Sequence, residues 1–121
     1  MIKEPNRRKL GAKVEQMVKE YLIAHGFVII EMNYRCRQGE IDIIARDEAY
    51  YVFIEVKYRN HRKYGVPQEA VGPAKQKRIC NVAHFYMYSH NLSEETPVRF
   101  DVAAVLEDKI TYYKNAFDYI L

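Results

Sequence analysis

The chain has 121 residues, of which 49% are hydrophobic and 29% are charged, and its formal net charge is +3. This length fits one domain, and the hydrophobic content is sufficient for a core that needs neither disulfides nor a structural metal. The small positive excess neither requires nor excludes a nucleic-acid partner.

The cysteines and the hydropathy pattern bear on the compartment. The sequence has no signal-peptide pattern and no apolar run near the ~20 residues that a membrane span requires. Cys36 and Cys80 are isolated and lack the spacing of metal ligands. We therefore expect a cytoplasmic chain with reduced thiols and no membrane partner.

Hydrophobic periodicity and turn residues predict seven elements in the order α-β-β-β-α-β-β. The predicted helices cover residues 10–25 and about 73–89, and the predicted strands cover residues 27–31, 40–45, 50–58, 98–106 and 110–113. Segment 33–39 is predicted to be a basic loop. The turn RDEA at 46–49 has no glycine, which favours a connection longer than a two-residue type I′ turn. The pattern indicates an α/β fold, with helices flanking a small mixed sheet, in one domain over residues 1–121.

Charged residues occur within the two segments most strongly predicted to be strands, residues 40–45 and 50–58. Because side chains alternate along a strand, Ile41 and Ile43 are expected on one face and Asp42 on the other. In the next strand, Glu55 and Lys57 share a face. Antiparallel pairing about the turn would place Asp42, Glu55 and Lys57 at the same end of the hairpin. The sequence thus predicts a cluster of charge at one end of the sheet.

Two interpretations of this cluster remain open from the residues alone. Glu40, Asp42, Glu55 and Lys57 could form solvated ion pairs at a sheet edge, each worth only a few tenths of a kcal/mol. Alternatively, two neighbouring acids repel each other and destabilise the fold unless a cation neutralises them, and oxygen ligands suit Mg²⁺ or Mn²⁺.

Two helical residues lie where they could contribute to such a site. Glu15 falls on the flank of the apolar stripe of the first helix, where it could reach the sheet edge or remain an ordinary exposed glutamate. Gln76 lies on the inward stripe in the first turn of the second helix. It could bond to the start of that helix or reach a site at the sheet edge.

Four segments of the chain carry a resemblance to a known family: GAKVEQMVKEYLIAHGF, NYRCRQGEIDIIARDEAYYVFIEVKYR, AVGPAKQKRI and VRFDVAAV. An Asp on one strand followed by Glu-x-Lys on the next, here Asp42 and then Glu55-Val56-Lys57, is similar to the active-site motif of the PD-(D/E)XK nuclease superfamily. From about Leu10 to Leu106 the chain resembles the YraN-like, UPF0102-type family of uncharacterised bacterial proteins, which is itself similar to archaeal Holliday-junction resolvases.

The resemblance implies a restriction-endonuclease-like core and a nuclease that uses Mg²⁺ or Mn²⁺ to hydrolyse phosphodiester bonds in DNA, with branched DNA as a substrate class. It carries the active-site set onto Glu15, Asp42, Glu55, Lys57 and, as an auxiliary position, Gln76. Of these, Asp42, Glu55 and Glu15 would hold the metal, and Lys57 would be an ammonium that orients water. Resolvases of the related group act as homodimers, so the resemblance leaves a homodimer open, but the sequence itself does not determine the oligomeric state.

Basic residues near the predicted site would contact the phosphates of the nucleic acid without reading its sequence. They are Arg35, Arg37, Arg59, Arg62, Lys63, Lys75, Lys77 and Arg78. The alternative is that each is an ordinary solvated charge. Asp101 is expected to be structural and to pair with Arg99 or with nearby backbone.

Two functions compete with the nuclease interpretation. One is a non-cleaving nucleic-acid-binding module of a DNA repair or recombination complex. The other is a metal-regulated structural protein without a nucleic-acid partner, which would leave the basic residues unexplained. An intact set of Glu15, Asp42, Glu55 and Lys57 favours the nuclease, because a pure binding module would gain from losing the repulsive acids.

Overall fold

The computed structural model of the chain describes residues 7–59 and 71–119. The elements in these residues are α1 (Arg7–Ala24), β1 (Val28–Cys36), β2 (Gly39–Asp47), β3 (Tyr50–Arg59), α2 (Pro73–Ser89), β4 (Val98–Leu106) and β5 (Lys109–Phe117). The predicted order α-β-β-β-α-β-β is confirmed, and the fold is mixed α/β. In this part of the chain, neither helix is long and apolar enough to cross a membrane.

The strands form one five-stranded mixed sheet in the order β1-β2-β3-β4-β5. The pair β3–β4 is parallel and the other three pairs are antiparallel. Parallel neighbours cannot be joined by a hairpin, so the chain must cross from one end of the sheet to the other between β3 and β4. The helix α2 lies in that crossover, and its first turn follows the end of β3 at which the charged residues occur.

The two helices cover opposite faces of the sheet, and each face has its own apolar layer. In the α1 layer, Val14, Val18 and Leu22 belong to one cluster with Ile43, Ala45, Val52, Ile54, Ala103 and Val105. In the α2 layer, Ile79, Val82, Ala83 and Tyr86 belong to one cluster with Ile44, Phe53, Phe100 and Val102. Burying each of the larger of these side chains, such as valine, leucine, isoleucine or phenylalanine, contributes about 1.5–3 kcal/mol, which holds both helices on the sheet.

Two of the three hairpins, β1–β2 and β2–β3, differ from the sequence prediction. The segment predicted as a basic loop is mostly strand, because β1 continues to Cys36 and pairs with Gly39 across a two-residue turn. Gly39 has φ 142°, a conformation in which other residues are strained, and a Cβ there would lie 3.3 Å from Val82 Cγ2. The β2–β3 connection also has two residues, since Asp47 pairs with Tyr50. The prediction of a longer connection was wrong because Glu48 adopts φ 56° without a glycine.

The alternation of side chains fails at Asp42. Ile43 packs in the α1 layer as its neighbours predict, but Ile41 packs in the α2 layer. The prediction that Ile41 and Ile43 share a face was therefore wrong. On β1, Asn33 lies between the partners of these two residues and has φ 55°, a left-handed conformation that a regular strand does not contain. Because of this distortion, the side chains of both strands change from one face of the sheet to the other at the position of Asp42.

Candidate active site

The site begins where β2 and β3 separate. The two strands pair in antiparallel register from Asp47 opposite Tyr50 to Ile43 opposite Ile54. Just beyond this last pair, the backbone N–H of Val56 donates to Oδ2 of Asp42 at 2.8 Å. A carboxylate thus takes the place of a backbone acceptor, and this bond fixes the Asp42 side chain against β3.

Glu55 is the second acid of the site and is almost fully buried, with 6% of its surface exposed. Its Oε2 lies 3.7 Å from the ammonium of Lys57 and 3.4 Å from the ammonium of Lys75. Lys57 is two positions further along the same strand, so its side chain lies on the same face. Lys75 comes from the first turn of α2. A buried carboxylate requires such partners, because an unpaired charge is costly to remove from water.

Glu55 is close enough to Asp42 to perturb its ionisation. The pKa of Asp42 is raised from 3.8 to about 8. Burial is the largest cause, and the charge of Glu55 and a hydrogen bond shared with it raise the pKa further. The Val56 N–H acts in the opposite direction, and the charge of Glu15 raises the pKa slightly. Without a bound metal ion, the Asp42 carboxyl therefore keeps its proton near neutral pH.

Among the predicted site residues, the structure brings together Asp42, Glu55 and Lys57. Glu15 lies on α1, near enough for its charge to act on Asp42. Gln76 is half-buried at the start of α2, and its Nε2 donates to the carbonyl of Val71 at 2.7 Å. Its amide nitrogen is thus engaged with the residue that leads into the helix.

The arrangement limits which metal could bind. In the described residues, no group of three or more His, Cys, Asp and Glu side chains could hold a metal ion. Asp42 and Glu55 are a pair, and Glu15 does not join them as a third ligand. Mg²⁺ is commonly held by one or two carboxylates, with water and substrate phosphate supplying the other ligands. The two acids and the repulsion between them fit such an ion.

The predicted phosphate-binding residues differ in their exposure and in their hydrogen-bond and ion-pair partners. Nε of Arg35 donates to Oε2 of Glu40 at 2.8 Å, which makes these two residues a surface ion pair with the Arg35 side chain 77% exposed. Lys75 is bound to Glu55 instead of facing solvent freely. Nη1 of Arg59 donates to the carbonyl of Tyr58. Besides Arg35, the exposed members of the set in the described residues are Arg37, Lys77 and Arg78. Arg62 and Lys63 lie outside the described residues.

Asp101 is fully buried and is separate from the site. It pairs with Arg99 through two guanidinium nitrogens, and it also accepts hydrogen bonds from Tyr112 Oη at 2.6 Å and from the Asn115 N–H at 2.9 Å. Arg99 Nη1 reaches Asp47 Oδ2 at 3.0 Å. The expectation of a structural Asp101 paired with Arg99 agrees with this network.

The contact between Lys75 and Glu55 was not predicted from the sequence. One local signal was present, since Lys75 is the third residue of α2 and the first turn of that helix has no acidic residue. A cation near a helix N-terminus is unfavourable unless an anion lies close to it. The identity of the anion depends on the crossover between β3 and α2, which periodicity does not reveal.

Most of the chain is similar in sequence to known proteins. The model of the uncharacterised protein family UPF0102 matches residues 14–105. A UPF0102 protein from Lachnoclostridium phytofermentans is 48% identical over 114 residues, covering 90% of this chain and 97% of the relative. One from Syntrophus aciditrophicus is 55% identical over 114 residues, covering 91% and 87%. One from Clostridioides difficile is 44% identical over 114 residues, covering 93% and 99%.

Proposed function

The chain belongs to the uncharacterised protein family UPF0102, and we propose that it is a Mg²⁺-dependent nuclease that hydrolyses phosphodiester bonds in DNA, built on a restriction-endonuclease-like core. The observation that carries this proposal is the placement of Asp42 and Glu55 together where β2 and β3 separate, with the ammonium of Lys57 3.7 Å from Glu55. A sheet gains no stability from two adjacent acids, and burial together with the charge of Glu55 raises the pKa of Asp42.

Each residue of the site would have a separate task. Asp42 and Glu55 would hold the Mg²⁺ ion, and the Val56 N–H keeps the Asp42 carboxylate in one orientation. When bound, the ion would polarise a phosphate oxygen and lower the pKa of a water molecule. Lys57, as an ammonium, would orient the attacking water and stabilise the negative charge that develops on the phosphate.

The remaining predicted residues would act around this centre. Glu15 would contribute through water, since its charge reaches Asp42 but its side chain does not join the pair. Gln76 would stabilise the entry into α2 through its bond to Val71. Exposed cations such as Arg37 and Arg78 would contact phosphates beside the scissile bond. With branched DNA as substrate, two copies of the chain would be needed to cut two strands symmetrically.

A second function is favoured by one specific observation. Two ammonium groups already lie at Glu55 Oε2, so the acid is neutralised without a metal. A non-cleaving nucleic-acid-binding module would need no more than this. The two functions differ in whether a divalent cation enters the site and whether DNA is cut.

The test combines metal binding with cleavage. Purified wild type and Asp42→Asn are titrated with Mn²⁺ by calorimetry and incubated with Mg²⁺ and single-stranded, duplex and four-way-junction DNA. We expect the wild type to bind and cleave, and Asp42→Asn to lose at least about 100-fold in cleavage rate because the site would lose a ligand and a charge. Glu40→Gln is the matched control, since it removes an exposed carboxylate of the same strand.

Each outcome decides between the alternatives. Cleavage that Asp42→Asn retains would assign the activity to another site or to a contaminant. DNA binding by the wild type without Mn²⁺ binding or cleavage would replace the nuclease with the binding module.

A further inference from the structure

The cations around Glu55 come from two different elements. Lys57 belongs to the same strand as Glu55, so its position follows from the strand itself. Lys75 is brought in by α2 and makes the shorter contact, 3.4 Å against 3.7 Å, to the same oxygen, Oε2. The Lys75 side chain is 36% exposed, compared with 23% for Lys57. Lys75 is therefore the partner that can swing into solvent without a change in the strand.

The start of α2 does not itself favour a cation. Lys75 is its third residue, the N-cap is Gly72 without a side-chain cap, and the first turn has no acid. The free N–H groups at a helix start carry partial positive charge, which repels an ammonium. The attraction of Glu55 is what offsets this repulsion. A loss of that attraction would send the Lys75 side chain away from the site.

We propose that Lys75 is a built-in counter-ion that neutralises Glu55 in the metal-free protein and must leave that carboxylate when a divalent cation binds. This inference rests on the proposed function. A cation on Glu55 would come within a few Å of the Lys75 ammonium, and like charges at that separation repel strongly where water is partly excluded. The two occupants therefore compete. The displaced ammonium then becomes available to a phosphate of the nucleic acid.

The competition predicts a gain of metal affinity when Lys75 loses its charge. Mn²⁺ binding is measured by calorimetry for the wild type, Lys75→Met and Lys75→Arg. We expect Lys75→Met to bind Mn²⁺ about twofold to fivefold more tightly, because removing a partly exposed ion pair of up to about 1 kcal/mol removes a competitor of that strength. Lys75→Arg keeps the charge and is expected to bind as the wild type does.

Lys77→Met is the matched control, because it removes the same charge from an exposed position in the same helix. The titrations are repeated in 0.5 M NaCl, where the Debye length falls to roughly 4 Å and distant charges no longer contribute. The gain from Lys75→Met should persist there, and any gain from Lys77→Met should disappear. Circular dichroism establishes that every variant is folded.

A second measurement does not depend on affinity. Without metal, Lys75→Met leaves Glu55 with one cation fewer, so its melting temperature should fall below that of Lys77→Met. Saturating Mg²⁺ should restore the Lys75→Met melting temperature to that of Lys77→Met, since the metal replaces the missing charge.

The outcomes separate this inference from the proposed function. Equal Mn²⁺ affinity in Lys75→Met and Lys77→Met, or weaker binding in Lys75→Met, would overturn the counter-ion role while leaving the metal site in place. If the wild type binds no Mn²⁺ and Lys75→Met does, the inference holds and the natural protein is self-inhibited. If no variant binds Mn²⁺, the inference and the metal requirement of the proposed function both fail.

Discussion

Replacing Asp42 with asparagine should stabilise the metal-free protein, and the gain in stability should increase as pH rises. The pKa of Asp42 is about 8 in the folded chain against an ordinary 3.8. Between these values the folded state holds a proton that the unfolded state has lost, so stability decreases as pH rises through that window. Each tenfold change in an ionisation constant is about 1.4 kcal/mol, which sets an upper limit of about 6 kcal/mol. Side-chain relaxation and the entry of water reduce this upper limit. We expect the wild type to lose about 2–3 kcal/mol of unfolding free energy between pH 5 and pH 9.

Asparagine resembles the protonated form of Asp42. Its oxygen can still accept from the Val56 N–H, and its NH₂ group can donate to Glu55 as the protonated carboxyl does. The advantage of Asp42→Asn over the wild type should therefore grow from pH 5 to about pH 8 and then level off. Urea unfolding in EDTA at pH 5, 7 and 9 measures it, with Glu40→Gln as the control. An advantage that is the same at pH 5 and pH 9 would refute the raised pKa of Asp42 on which this prediction rests.

Two further substitutions, Asp101→Asn and Gly39→Ala, test structural contacts by urea unfolding, and Glu40→Gln serves as the comparison for the first. Asp101→Asn should cost about 3 kcal/mol because it leaves the Arg99 guanidinium short of its buried partner, whereas loss of the surface pair in Glu40→Gln should cost less than about 0.5 kcal/mol. Similar losses in both variants would contradict the distinction. Gly39→Ala should cost more than about 1 kcal/mol, since φ 142° is strained for alanine and its Cβ would press on Val82. A neutral result would mean that the β1–β2 turn readjusts easily.

The parts of the fold that could be predicted depend on local patterns. Apolar residues at helical spacing in α1, such as Val14 and Val18, and at alternate positions in β3, such as Val52 and Ile54, are all buried. The meeting of Asp42 with Glu55 could also be predicted, because an antiparallel pair joined by a short turn brings the start of one strand beside the end of the next.

The remaining features depend on departures from regular geometry or on long-range packing. The opposite placement of Ile41 and Ile43 follows from a left-handed Asn33 on the neighbouring strand, and nothing within β2 itself indicates it. The contact of Lys75 with Glu55 requires the parallel crossover that sets the start of α2 beside the end of β3. Such contacts are decided by tertiary structure, which spacing along the chain does not contain.

The irregular outer strands affect how the molecule meets others of its kind. A straight edge strand offers an open row of backbone donors and acceptors onto which a strand of another molecule can add. Here β1 has a register shift between Ile29 and Glu31 as well as a left-handed Asn33, and β5 has a left-handed Asn115 beside its own shift. Such breaks twist an edge and interrupt the row. The irregularities of β1 and β5 thereby oppose the addition of strands from other molecules at both edges of the sheet, and so oppose aggregation.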